Sequence, residues 1–524
     1  MSKKYVWFVL GGMFVAWAVD LLFWQKAIGI SFLVWVVLAL VVLLALLRIE
    51  KVQVARSSVI WVILALVFAL MVCFRKQAFT MFLGVTLALF CLTALVGTLR
   101  TGNAWFYRIG DWVQMGFNLL GAALSRMPEV FRRPVQEKEE AVLPWREVLK
   151  QLGWALLGIV LVTPVLAVLV VLLSSADPIF SDRLKAFFEA FDLENIAEYL
   201  FRFFYVLILA YGLIGVLLHA VHPHTMEKRP DANQPLFGSF MPMAVSATAL
   251  ACINLLFASF VAVQFEYFFG GNANISDLGY TYSEYAVRGF NELVIVALIS
   301  LAIYWTLAAI SNQRSATQKT VFRVLVTMLF ALVMVMLVSA WQRLGLYEAA
   351  YGFTRLRTQT HIFIPWLGLF LLVTLGLELS GRRGRFALAM VLAVLAFGLT
   401  FGVLNVDGFI ARQNIARAYA GEELDRSYLT TLSSDAVPAV YEAYQQATQP
   451  DVRDALGATL ACWTKQQEEQ KPKPWQSLHF SDLRARQLLL SHATEWQQYK
   501  TRADEVWLGS SWQPCVESRY SLGD

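Results

Sequence analysis

Long, nearly charge-free apolar blocks constrain this chain more than any other feature. Eleven can be drawn, at residues 5–24, 27–47, 57–74, 78–99, 151–174, 203–221, 241–263, 289–310, 322–341, 361–380 and 386–404. Most run to about twenty residues, the length a helix needs to cross a hydrocarbon core roughly 30 Å thick. Composition agrees: 58% of the residues are hydrophobic and 15% charged, where a soluble domain carries about 25% charged residues. The fold class expected is therefore all-α, a polytopic membrane bundle of about eleven spans. The opening stretch, "MSKKYVWFVLGGMFVAWAVDLLFWQK", has the basic start and apolar run of a signal peptide. It lacks a small-residue cleavage site, since Asp20 is followed by Leu21, Leu22, Phe23 and Trp24. It reads as an uncleaved first helix.

Orientation follows from the connecting segments. With the N-terminus inside, Lys and Arg in inner segments outnumber those in outer segments by about two to one, the bias expected of a cytoplasmic face. An odd number of spans then puts the C-terminus outside. From Asn405 the chain changes character and becomes polar and helix-patterned. Ser434, Pro438, Pro450 and Ser481 stand at helix starts. Four regions are expected: 1–100, four membrane helices; 101–150, a cytoplasmic loop with an interfacial helix; 151–404, a membrane core of about seven spans; and 405–524, a small periplasmic all-helical domain. The localisation expected is a bacterial inner membrane, multi-pass. Cys73, Cys91 and Cys252 fall within spans and act as small apolar residues. Cys462 and Cys515 are the only cysteines of the last region, and an even pair in an oxidising compartment predicts a disulfide.

Ionisable groups in mid-span mark ion or proton pathways, and this chain has almost none. Asp20, His219, Glu292, His361 and Glu378 all fall near span ends. Polar groups gather instead at the outer boundary: Asp177; Gln264, Glu266 and Tyr267; Glu284, Tyr285, Arg288 and Glu292; Arg343, Tyr347, Glu348, Tyr351, Arg355 and Arg357; and Asn405, Asp407, Arg412 and Asn414. Glu284, Arg288 and Glu292 are spaced four apart and share one helix face. Arginine forks in such a ring suit a phosphate or carboxylate, while the same residues serve equally as interface belts and loop-locking ion pairs. No Walker loop, GxGxxG, HExxH or CxxC is present, so no cofactor is implied. His222 and His224 have no third ligand spaced nearby, and no metal is expected. The net charge of +5 is dispersed among loops and gives no nucleic-acid surface.

Four stretches carry a family resemblance: "SADPIF" (Ser175–Phe180); "YSEYAVRGFNEL" (Tyr282–Leu293) after "QFEYFFGG"; "RLGLYEAAYGFTRLR" (Arg343–Arg357); and "NVDGFIARQNIAR" with "LDRSYLTTLSSDAVPAV". On them the chain resembles an uncharacterised family of bacterial polytopic inner-membrane proteins, of the domain of unknown function 4173 type. That resemblance implies the architecture and supplies no chemistry. The expected partners are membrane lipids and a periplasmic or membrane protein, with the oligomeric state left open. The function expected first is an envelope-associated binding, signalling or assembly protein that uses the outer polar cluster and the periplasmic domain. Two alternatives stand beside it. One is a transferase or hydrolase acting on a lipid-linked substrate at the outer leaflet, with Glu284 or Asp407 as acid–base and Arg288 and Arg343 as anion clamps. The other is a transporter or channel, which the uncharged span centres disfavour.

Overall fold

A computed structural model describes residues 3–131, 182–183, 193–222, 240–269, 289–470, 472–502, 504–509 and 511–516. Among the described residues ten helices are long and apolar enough to cross a membrane. They match ten of the eleven expected segments, and the remaining one, 151–174, lies outside the described residues. The helices are α1 (Lys3–Phe23), α2 (Ile30–Ile49), α3 (Val59–Phe74), α4 (Ala78–Thr98), α5 (Ile109–Ser125), α6 (Leu193–Val221), α7 (Met243–Phe269), α8 (Phe290–Ile310), α9 (Ala316–Tyr351), α10 (Arg355–Leu379) and α11 (Phe386–Val403). All but α5 are the candidate spans. On α5 the exposed Val113, Phe117, Leu120 and Leu124 recur every three to four residues, the apolar stripe of a helix that lies along a surface. Of the stretch 180–201, residues 182–183 and those from Leu193, where α6 begins, are described.

The chain packs as two units. In the first, drawn from segments 1–24, 42–51 and 119–224, α1 and α6 pair. Asp20 near the end of α1 accepts a bidentate pair of bonds from Arg202 at 2.9 and 2.6 Å, and a third from the Tyr205 hydroxyl. A carboxylate that would be costly alone in an apolar helix is thus fully engaged. Glu50 lies 3.3 Å from the His222 imidazole in the same unit.

The second unit, drawn from 25–41, 52–118 and 225–524, is built around α9. Its buried stripe, Phe322, Val326, Leu329, Phe330, Val333, Met336, Leu337, Ala340 and Leu344, recurs at helical spacing against α7, α8 and α10. A capping box opens the helix: Ser315 accepts from Gln318 N, and the Gln318 side chain accepts from Ser315 N. Nothing in the sequence stops it for 36 residues, so at 1.5 Å per residue it is about 54 Å long. Its last turns therefore outrun a bilayer core. The stretch from Arg343, expected as a loop after the ninth span, is helix up to Tyr351 and turns only at Gly352, where φ is +80°. Close approach fits α11 to the α3–α4 hairpin, because a Cβ on Gly398 would meet Leu87 at 2.1 Å.

Beyond α11 come α12 (Val406–Tyr419), α13 (Arg426–Thr431), α14 (Val437–Gln446), α15 (Pro450–Glu469) and α16 (Phe480–Ser491). The region beyond Asn405 is helical, as expected, and it closes with three short antiparallel strands not foreseen in the sequence. These are Thr501–Arg502, Glu505–Leu508 and Ser511–Pro514, which form a meander. Cys462 on α15 and Cys515 after the last strand form a disulfide with Cα atoms 5.8 Å apart. Beside it, Arg426 donates to the Pro514 carbonyl at 2.6 Å.

Candidate functional site

The residues gathered at the expected outer boundary are described in part. Asp177, Glu284, Tyr285 and Arg288 lie outside the described residues. Tyr267 falls near the end of α7. Gln264 is buried and accepts a hydrogen bond from Ser339 at 2.6 Å, tying α7 to α9. Glu292 and Arg412 are exposed. Arg343 is buried on α9 beside the backbone of Gly289, the positive-φ residue that precedes α8.

The other members form a clamp that holds the α9–α10 turn to the C-terminal domain. Arg355 gives two parallel bonds to Asp407, at 3.0 and 2.8 Å, and a third to the Thr431 carbonyl at 3.0 Å. Asp407 is fully buried and also accepts from Ser433 N at 2.7 Å. The Asn414 amide reads both backbone groups of Phe353, at 2.8 and 2.9 Å. Arg417 donates to the carbonyls of Ala349 and Ala350, which α9 itself leaves unpaired at its end. Asn405 caps α12 through Gly408 N and donates to the Asp435 carbonyl. Tyr347 and Tyr351 stack edge-to-face, and the Arg357 guanidinium lies 3.9 Å over Tyr347. With its oxygens engaged and no exposure, Asp407 is a positioning group rather than an accessible acid or base.

A second set of ties runs from the three-residue α3–α4 connection. Lys76 N and Gln77 N both donate to Asp435, at 2.8 and 3.2 Å. Lys76 Nζ and Lys473 Nζ flank Asp482 at 2.8 and 3.1 Å, and the Ser434 hydroxyl bonds the same carboxylate. Burial pushes Asp482 up, but the bonds from Lys76 and Ser434 and the two lysine charges outweigh it, so the group sits below the usual carboxylate range. Asp435 moves the other way: burial raises it, and its backbone donors and Arg75 only partly offset this. Phe74 stacks on Phe480 with centroids 4.8 Å apart. Arg75 donates to the Gly402 and Val403 carbonyls at the end of α11, at 3.3 and 3.0 Å.

These ties frame a groove of about 560 Å³. Its apolar wall comes from Val67, Leu70, Met71 and Phe74 of α3 with Leu399 and Val403 of α11. The C-terminal domain supplies the other lip: Ser434, Asp435, Pro438, Phe480, Ser481 and Arg484. Val67, Leu70, Phe74, Val403 and Phe480 remain exposed there. None of the groove's apolar wall was singled out in the sequence, because exposed and packed leucines look alike in a span. At the opposite end of α9, Glu378 is fully buried, bonded by Tyr304 at 2.8 Å and by Arg383, which also reaches Gln313. This carboxylate is likewise structural.

Fold and site together define a multi-pass membrane helical protein whose C-terminal domain is tied to the ends of its spans. A family model matches residues 62–443, and the chain belongs to that family, a domain of unknown function (DUF4153). This corrects the 4173 type expected from four short motifs, which do not separate one uncharacterised polytopic family from another. The match also takes in α3 and α4, which those motifs left unassigned. No curated protein and no solved structure matches the chain.

Proposed function

We propose that this is a bacterial inner-membrane protein that binds an anionic phospholipid in the groove between α3, α11 and the C-terminal domain. In this reading the domain is periplasmic and acts in envelope maintenance or assembly. The groove carries the reading. One wall is apolar and drawn from two spans, as an acyl chain requires, while the lip presents the exposed Arg484 where a headgroup would sit. A guanidinium fork matches a phosphate diester. The disulfide and the charge bias of the connecting segments support the periplasmic side.

Purification in mild detergent followed by native mass spectrometry tests the lipid. Phosphatidylglycerol should remain bound and phosphatidylcholine should not, and Arg484→Glu should cut retention about ten-fold. Equal retention of both lipids, or an unchanged Arg484→Glu, refutes the groove. Alkaline phosphatase fused after Asp524 should be active and a green fluorescent protein fusion dark. The reverse pattern refutes the orientation.

A further inference from the structure

A second cavity, of about 420 Å³, lies where the end of α9, the start of α10, the end of α11 and α12 meet. Its walls are mostly apolar, with Phe353, Leu404 and Phe409 among them. Set into them is Glu348, 2% exposed, whose Oε2 lies 2.7 Å from His361 Nδ1. Trp341 packs edge-on against that imidazole, with centroids 4.7 Å apart. The other carboxylate oxygen, Glu348 Oε1, has no hydrogen-bond partner among the described residues. Nor has the hydroxyl of Thr358, a residue 3% exposed that lines the same cavity. Gln413 lines it too. None of these side chains takes part in the clamp or the lipid groove. Buried polar atoms are ordinarily satisfied, and leaving a carboxylate oxygen bare in apolar surroundings is costly.

We infer that this cavity binds a primary ammonium carried on a short apolar body. An ammonium has three N–H donors and no acceptor, and the unsatisfied oxygens of Glu348 and Thr358 take two of them. Its charge is compensated by the Glu348 carboxylate, and its alkyl part packs on Phe353, Leu404 and Phe409. An alcohol brings one donor for two acceptors and no charge. A carboxylic acid anion meets the charge of Glu348. The cavity volume lies within the range usual for small-molecule sites. The inference is independent of the phospholipid reading, since the two sites share no residue.

The test uses the full chain in detergent and follows tryptophan fluorescence, with Trp341 as the near reporter. Hexylammonium, hexanol and hexanoate are the probes. Hexylammonium should bind saturably, hexanol about ten-fold more weakly, and hexanoate not at all. Glu348→Gln and Thr358→Val should each weaken hexylammonium about ten-fold and leave hexanol unchanged. Non-saturable uptake, equal binding of hexanol and hexylammonium, or full affinity in Glu348→Gln overturns the proposal. Should Glu348→Gln fail to fold, judged by size exclusion, the wild-type comparison and Thr358→Val decide it alone.

Discussion

Asp407 shows how a single residue holds the C-terminal domain in place, and His479 how one sets its response to pH. Asp407 pairs with Arg355 in full burial on one side. Removing one partner of a buried ion pair strands the other's charge, at about 3–5 kcal/mol. Asp407→Asn keeps the shape and loses the charge, so thermal unfolding should come markedly earlier and proteolysis beyond Val403 should accelerate. Arg355→Lys, which retains charge but not the fork, should cost less. His479 gives a pH signature. Burial holds its imidazole below the ordinary value, Asp482 pulls the other way, and Lys76 and Lys473 reinforce burial. With its folded value below the unfolded value of about 6.5, the unfolded chain binds the proton more readily. Stability from this group is therefore complete above the unfolded value and falls as pH drops toward the folded one. Unfolding midpoints measured from pH 7.5 to 5 should decline by at most about 1.4 kcal/mol per pH unit for one proton. His479→Gln should flatten that decline. The Asp482 contribution is lost at lower pH, from the ordinary carboxylate value downward toward the folded one, so the two windows are separable.

Among elements, the turn from α9 to α10 carries the most information. Gly352 sits at φ +80° and ψ 170°, a region essentially reserved for glycine. A Cβ there would also meet the Arg417 guanidinium at 2.7 Å and Asn414 Oδ1 at 3.0 Å. Gly352→Ala therefore both strains the backbone and pushes two clamp residues off their partners. It should destabilise the protein by about 1–3 kcal/mol and add to Asn414→Ala less than independently, since both act on one contact. Chemical denaturation of the two single variants and the double variant measures the coupling. The same turn brings Glu348 and His361 together. They lie on successive helices, so no single-helix spacing links them, and His361 alone looks like one more polar residue at a span end.

On the scale of the whole molecule, a disulfide closes 53 residues of the C-terminal domain. Closing a loop of that length stabilises by about 4 kcal/mol in the chain-entropy model. Cys462→Ser/Cys515→Ser, or full reduction, should lower the domain's unfolding free energy by about that amount. Intact far-ultraviolet helicity of the spans alongside that loss would localise it to the domain.

The positions of the ten described spans, the break in character at Asn405 and the pairing of Cys462 with Cys515 follow from the sequence alone. Each rests on a local quantity: the length of an apolar run, a change of composition, or an even cysteine count. The three-stranded close was not legible, because strands of two to four residues leave no periodicity. Neither was the fate of the polar cluster. Arg355, Asp407 and Asn414 announce a polar meeting point in the sequence, but whether such residues grip one another or a ligand depends on distances across separate helices. The tertiary structure decides it: those three are spent on backbone and on each other, while Glu348 and Thr358 keep unsatisfied oxygens. Periodicity reports which face of a helix is apolar, and only packing reports which polar atoms still lack a partner.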